Sequence, residues 1–397
     1  MANICVYGLC KNMRHNIEEW LSNVSEADLI ILLDLGSEDG SQEFIRCMMY
    51  YYPNLKYTEK EVNPFDYAEA RNIALYAAEK HIVDNGSNLK DWVFVSLDLD
   101  ERLSNNSFQA IRNIADNYQC DIIHVAKLHN DGICEGAGDN NRIHSSEFYW
   151  YRAVHESIKN PNKKKKDYNI FEYSGIEVYC LYPYDDTSRY LDNYRDLLVR
   201  SREKYDNDIL SLVYLGELDK KEMNYSHLLA YGNEMNEILN NDIDNEFYND
   251  MSMNVKAFYF MADFYHFIKD YEMEKRILLT ATTLFTLFDD YDIRPRLLHY
   301  KLAKLYWDMG YYIDSIHHYK EILKINSYIE NDIADDPTLY DNAAIYSELS
   351  NAYYYASENN SELDLYQEAY DAGTSAYMLD PLNETYKNNM LYLKDKI

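Results

Sequence analysis

In the first half of the chain the apolar residues fall in short, nearly unbroken runs; in the second half they recur at a helical period. Ile4 to Leu9 is such a run, followed by an amphipathic helical stretch around Ile17 to Leu21. Leu29-Ile30-Ile31-Leu32-Leu33 predicts a strand buried on both faces, ending at Asp34. The turn-rich segment Gly36-Ser37-Glu38-Asp39-Gly40-Ser41 comes next, then helical spacing from Phe44 to Tyr51, stopped by Pro53. Leu55 to Thr58 reads as a strand, and Pro64 as the opening of a helix that carries Tyr67, Ala70, Ala74 and Ala77. Trp92 to Leu97 is a further buried strand, ending at Asp98. Strands separated by helices predict a largely parallel sheet with ligands at its carboxyl ends, where both Asp34 and Asp98 fall.

From about residue 110 to 185 the pattern is mixed, with short strands at Ile122 to Val125 and Ile176 to Leu181. After Tyr190 helical periodicity runs to the C-terminus. Met261-Ala262 with Tyr265, Leu302-Ala303 with Tyr306, and Leu349-Ser350 with Tyr353 each place a small residue three before a tyrosine. Ser315 and Tyr319, then Ala369, Gly373 and Ala376, continue the theme. Such spacing predicts tetratricopeptide-like helix pairs, in which small residues let helices approach; an irregular bundle is the plainer alternative. The expected organisation is therefore an α/β domain over residues 1–187 and an all-α helical-repeat domain over 188–397.

Charge narrows the function. With 38 Lys and Arg against 68 Asp and Glu, the net charge of −30 excludes a general nucleic-acid binder. The one basic run, Lys163 to Lys166, reads as a solvated loop or a local anion contact. Six cysteines, none in a C-x-x-C pair, argue against zinc and fit a reducing compartment. The start lacks a basic-then-apolar leader, and no run is long enough to span a bilayer, so a cytoplasmic location is expected.

The candidate chemistry lies at Asp98-Leu99-Asp100-Glu101. Strand alternation turns Asp98 and Asp100 to the same side, where paired carboxylates suit magnesium or manganese. The other D-x-D copies, Asp206/Asp208, Asp242/Asp244 and Asp290/Asp292, follow no buried strand and read as solvated surface.

Four blocks in order extend this site: Cys10-Lys11-Asn12; Asp34-x-Gly36-Ser37-x-Asp39-Gly40-Ser41; Phe65-x-x-Ala68-x-Ala70-Arg71-Asn72; and Asp98-x-Asp100-Glu101. A fifth, Val154-His155-Glu156, follows. Together they resemble the inverting glycosyltransferases of family 2, of GT-A fold, in a bacterial branch with a helical-repeat tail. The resemblance covers residues 3 to 185 well and the tail loosely. It implies that Lys11, Asp34, Arg71 and Asp98 bind a nucleotide-sugar donor, with Asp34 on the uracil or ribose and Arg71 on the base or diphosphate. Asp98 and Asp100 would hold the manganese or magnesium. Glu156, with His155 orienting it or replacing it, would be the base that deprotonates the acceptor. Plainer readings stand beside these: Arg71 as a surface salt bridge with Asp66 or Glu69, and His155–Glu156 as a structural pair. The resemblance breaks at one point, where relatives carry a late metal-site His and this chain has Leu181; Asp185 and Asp186 are possible substitutes.

The expected activity is transfer of a hexose from a nucleotide sugar, UDP-glucose or UDP-N-acetylhexosamine, to a protein, peptide or glycan. The alternative is a helical-repeat interaction protein with a degenerate, inactive enzyme domain. A nucleotidyltransferase ranks lower, because Gly8-Leu9-Cys10-Lys11 is a poor phosphate loop. A homodimer through the tail is also expected.

Overall fold

The computed structural model describes residues 2–132, 134–135, 141–163, 167–172, 174–182, 194–205, 208–222, 224–241, 251–288, 295–325, 341–360 and 362–397. Asp185, Asp186, Lys164 to Lys166, Asp206 and the D-x-D copies at 242/244 and 290/292 lie outside the described residues. The chain divides into two compact units, Met1–Leu215 and a second made of Gly216–Asn241 with Met251–Ile397.

The first unit runs β1 (Asn3–Cys10), α1 (Ile17–Asn23), β2 (Leu29–Asp34), α2 (Ser41–Met48), β3 (Leu55–Glu59), α3 (Tyr67–Asp84), β4 (Trp92–Ser96), β5 (Glu101–Leu103) and α4 (Ser107–Asn117). It continues with β6 (Ile122–Ile123), β7 (Ala126–His129), β8 (Cys134–Glu135), β9 (Ile143–His144), β10 (Tyr149–Tyr151), β11 (Ser157–Lys159), β12 (Ile170–Phe171), β13 (Glu177–Cys180) and α5 (Tyr194–Lys204). The main sheet has the order β12-β6-β9-β4-β1-β2-β3. β4, β1, β2 and β3 are mutually parallel, while β9 is antiparallel to both of its neighbours. The fold class is thus the expected one, a mostly parallel sheet flanked by helices and followed by a helical region.

Both faces of this sheet are covered, which is why its strands read as continuous apolar runs. Ile4, Val6, Ile30 and Leu32 pack with α1, α2 and α4 on one side. Cys5, Tyr7, Leu29, Ile31 and Leu33 pack with the alanine face of α3 on the other. A Cβ on Gly8 would sit 2.7 Å from the Leu97 carbonyl, so only glycine lets β1 lie this close to the chain leaving β4. The strand order reverses between β1 and β4: β2 and β3 extend to one side of β1, and β4 starts the other. Ligand crevices of open α/β sheets form at such reversals, outside the carboxyl ends. Asp98 follows β4 at that point.

A buried relay links β1, β9 and β10. The Trp150 indole N–H donates to Tyr7 Oη at 2.7 Å. Tyr7 Oη pairs with His144 Nε2 at 2.8 Å, and His144 Nδ1 with the Ser145 carbonyl at 2.8 Å. An indole only donates and a carbonyl only accepts, so the protons run Trp150 to Tyr7 to His144 to Ser145. Burial pushes the His144 imidazole down to about 4 from 6.5. The unfolded chain therefore binds one more proton than the folded one between about pH 6.5 and 4, and stability falls as pH falls through that window. The loss attributable to His144 is about 3 kcal/mol at the acid end. Urea unfolding followed by tryptophan fluorescence checks this: His144→Gln should flatten the pH dependence across that window.

The second unit consists of α-helices that pack against their sequence neighbours. After α6 (Ile209–Lys221) come α7 (Tyr225–Asn241), α8 (Met251–Phe267), α9 (Tyr271–Phe288), α10 (Pro295–Asp308), α11 (Tyr312–Lys324), α12 (Asn342–Asn359), α13 (Tyr366–Leu379) and α14 (Glu384–Lys394). The small residues noted in the sequence sit where helices touch. Ser315 Oγ donates to the Ala303 carbonyl at 2.8 Å, and Ser350 Oγ to that of Ala369 at 2.6 Å. Periodicity did not reveal Arg296, which is fully buried. It donates to the carbonyls of Ile322 and Ile325 at the end of α11 and to Asn342 at the start of α12.

Candidate active site

Asp34 closes β2, and its loop folds back on it. Oδ1 accepts from Gly36 N at 2.9 Å, Ser37 N at 2.8 Å and Gln42 Nε2 at 3.1 Å. Gly36, at φ +85°, supplies the left-handed turn this requires. Burial would raise the Asp34 carboxyl, but the hydrogen bonds from Ser37, Gln42 and Gly36 outweigh it and hold it below its ordinary range. Oδ2 is buried and has no hydrogen-bond partner among the described residues. Lys11 clamps the same loop, donating to the carbonyls of Leu35 at 3.0 Å and Gly36 at 2.6 Å.

The next strand brings a correction. β4 ends at Ser96, so Asp98 and Asp100 do not alternate along a strand. They stand in a tight turn in which Glu101 N donates to the Asp98 carbonyl at 2.9 Å and Asp98 N donates to Glu101 Oε2 at 3.0 Å. The turn forms as the chain leaves the main sheet and enters β5, which belongs to a separate four-stranded sheet. Leu181 N, just past β13, donates to the Asp100 carbonyl at 2.9 Å.

Arg71 organises the centre. It lies in the second turn of α3, whose N-cap Asp66 accepts from Glu69 N and is gripped by Lys204. Asp66 and Glu69 both pair with Lys204, so neither is the Arg71 partner. The guanidinium reaches Asp98 with both Nη atoms, at 2.8 and 3.1 Å, and Glu156 Oε1 with Nε at 2.7 Å. Nη1 also donates to Ser96 Oγ at 3.0 Å, and the group lies 5.1 Å from the Trp150 ring. Arg142, unremarked in the sequence, donates to Asp98 Oδ2 at 3.2 Å and Glu101 Oε1 at 2.7 Å. Lys127 stands 3.6 Å from Glu101. Burial would raise the Asp98 carboxyl, but Arg71 and Arg142 hold it well below its usual range. Burial, with the Asp98 charge adding to it, raises Glu101 against the pull of Arg142 and Lys127.

Glu156 arrives on a hairpin loop between β10 and β11, where Tyr151 pairs with Ser157. Arg152 and His155 take positive φ there, 77° and 51°. The loop is tied down on several sides: Tyr67 N donates to Ala153 O, Ala153 N to Ser201 Oγ, and Arg152 faces Asp208 at 3.1 Å. The His155 imidazole bonds the Tyr194 hydroxyl at 2.6 Å and stacks on Tyr214 at 4.3 Å between centroids. Arg71, Asp98 and Glu156, read from three separate blocks, therefore meet in one ion cluster. Asp34 at the end of β2 and Lys11 just after β1 both hold the loop after β2, and His155 has its own aromatic contacts.

A divalent cation was expected at Asp98 and Asp100. Three guanidinium N–H contacts already fall on the Asp98 carboxylate, and its side chain keeps 30% exposure. Among the described residues no group of three His, Cys, Asp or Glu is placed to hold a metal. Leu181, at the site of the late His, is an exposed apolar side chain. The donor set therefore fits a cation that arrives on a diphosphate, taking one or two carboxylates and keeping phosphate and water ligands, as magnesium does. It does not fit a cation caged by protein alone.

No family model and no curated protein matches the chain. Among solved structures, S. aureus TarS 1-349 in complex with UDP-GlcNAc aligns over 84% of this chain and 95% of its own, at 13% identity and TM-score 0.39. The mannosyltransferase PcManGT from Pyrobaculum calidifontis, with GDP-Man and Mn2+, aligns over 32% of this chain at 21% identity and TM-score 0.25; the match spans 36% of that protein. GalNAc-T7 with UDP, GalNAc and Mn2+ aligns over 46% of this chain and 44% of its own, at 12% identity and TM-score 0.32. No helix among the described residues is long and apolar enough to cross a membrane.

Proposed function

We propose that the chain is an inverting glycosyltransferase that takes a hexose from a nucleotide sugar, of the uridine diphosphate type, and passes it to a protein, peptide or glycan. The observation that carries this reading is the ion cluster of Arg71, Asp98 and Glu156 at the point where the strand order reverses. Open α/β sheets bind ligands at such reversals, and here Asp98 stands at the carboxyl end of the sheet while a separate hairpin brings Glu156, a carboxylate suited to be a base. Asp34 Oδ2, buried without a partner among the described residues, is the acceptor that a base N–H or ribose hydroxyl would complete.

In this reading Glu156 takes the proton from the acceptor nucleophile as it attacks the anomeric carbon, on the face opposite the departing diphosphate. Asp98 and Asp100 would hold the cation carried by the donor, which supplies charge stabilisation to the leaving diphosphate. Lys11 shapes the nucleotide loop through its two carbonyls. His155, stacked on Tyr214, fixes the hairpin from which Glu156 projects. The helices of the second unit supply surface for a macromolecular acceptor or a second copy.

Thermal melting with nucleotides and cations tests the reading, since a ligand that binds only the folded state raises the midpoint. UDP with manganese or magnesium should raise it by several degrees, roughly the effect of about 1–2 kcal/mol of binding. Manganese alone should leave it nearly unchanged, because the protein lacks a cage of its own. No response to any nucleoside diphosphate, with or without cation, would sink the assignment in favour of an inactive interaction protein.

A further inference from the structure

The resemblance to known enzymes places Arg71 on the donor, yet the geometry gives it a different task. Its side chain is only 3% exposed, and Nε, Nη1 and Nη2 all donate to protein acceptors. Nε bonds the hairpin carboxylate Glu156, while both Nη atoms make a fork on Asp98. A planar guanidinium in such a fork fixes direction as well as distance. Its own position is set three ways: by Ser96 Oγ at the end of β4, by the Trp150 ring 5.1 Å away, and by the capped start of α3. Trp150 is in turn held by the Tyr7 hydroxyl and by the side-chain amide of Asn72, the neighbour of Arg71, which donates to the Trp150 carbonyl and accepts from its N–H. One rigid group thus spans the sheet's carboxyl edge and the hairpin.

We propose that Arg71 is a positioning residue: it ties the Glu156 carboxylate to Asp98 at a fixed separation, so that base and donor stand in register, and it makes no contact with the donor diphosphate. This rests on the glycosyl-transfer reading above. A phosphate ligand would have to draw the guanidinium off two carboxylates and a hydroxyl, stripping Glu156 of its ion pair and leaving Asp98 to Arg142. Breaking such a buried pair is strongly unfavourable.

The test is a double-mutant cycle with Arg71→Lys and Glu156→Gln, read by initial rates of transfer and by calorimetry of UDP with manganese. Lysine keeps the charge but cannot make the fork, so kcat should fall by roughly thirtyfold or more, while donor KM and UDP affinity stay within about threefold. In the Glu156→Gln background the same change should cost almost nothing further, because an effect that acts through Glu156 disappears once Glu156 cannot act as base. Free guanidinium added to Arg71→Ala should restore part of kcat and leave KM alone.

Two results overturn the proposal while the parent enzyme remains active: a UDP affinity in Arg71→Lys weakened tenfold or more, or losses that multiply in the double variant. A parent protein that binds no UDP and transfers no sugar would instead remove the functional reading itself. Should Arg71→Lys fail to fold, Ser96→Ala deletes only the hydroxyl that holds Nη1. It should lower kcat by about two- to fivefold with donor KM constant, as loss of one such hydrogen bond implies; an unchanged kcat would count against the proposal.

Discussion

Glu156→Gln should lower the rate of sugar transfer by roughly a hundredfold or more while UDP affinity stays near that of the parent. The substitution keeps the side chain's shape and its acceptor oxygen, so Arg71 Nε retains a hydrogen bond in place of the 2.7 Å ion pair. What it removes is the ability to take a proton. The Glu156 side chain is 16% exposed, enough to meet an acceptor while staying mostly shielded from water. Initial rates with a hydroxyl acceptor, together with calorimetry of UDP, check the split between chemistry and binding. If transfer persists in Glu156→Gln and is lost in His155→Ala, the base is His155. If it persists in both, the hairpin is structural. A thiol acceptor would shrink the effect, since a partly ionised cysteine needs less help from a base.

Arg142→Ala should destabilise the first unit by about 3 kcal/mol, the scale expected when a buried ion pair loses one partner. Arg142 bonds both Glu101, 2% exposed, and Asp98. Alanine leaves the buried Glu101 with the Asp98 N–H and, as its cation, Lys127 at 3.6 Å, while Asp98 keeps Arg71. The cost therefore concentrates on Glu101, whose carboxyl burial already raises. Urea unfolding by tryptophan fluorescence in a Trp307→Phe background reads this unit alone, since Trp20, Trp92 and Trp150 all lie in it. The midpoint should fall with little change in slope. Arg142→Lys should recover part of the loss, because the charge returns without the planar fork. A midpoint unchanged in the alanine variant would mean that Glu101 is neutral in the folded protein.

Much of the sheet was legible in the chain because burial on both faces leaves a one-dimensional trace. Leu29 to Leu33 can be apolar throughout only if helices cover both sides. Sequence reading opens α3 at Pro64, three residues before Tyr67, and does not mark the cap that sets it, Asp66 accepting from Glu69 N. The small residues of the tail were legible because close approach of neighbouring helices needs them at a helical period, as Ser350 against Ala369 shows.

The centre of the candidate site was legible only in parts. Arg71, Asp98 and Glu156 stood out from their blocks, but nothing in the sequence paired residues 27 and 85 positions apart. Strand alternation does not govern Asp98 and Asp100, because the strand stops at Ser96, where the chain turns to reach β5. Arg142 carried no signal at all: it precedes a strand of two residues and belongs to no motif. Arg296 in the tail was hidden likewise, since two of its acceptors are backbone carbonyls, which no residue type announces, and the third, Asn342, is 46 positions away. Sequence by itself determined the class of the fold, the strand ends where polar chemistry could gather, and the helical character of the tail, because these depend on local periodicity and on which residues must be buried. Tertiary structure alone decided which charges meet and that Arg71 faces two carboxylates, because electrostatic partners are chosen by distance in space, and that distance is set by how strands and helices pack rather than by their order along the chain.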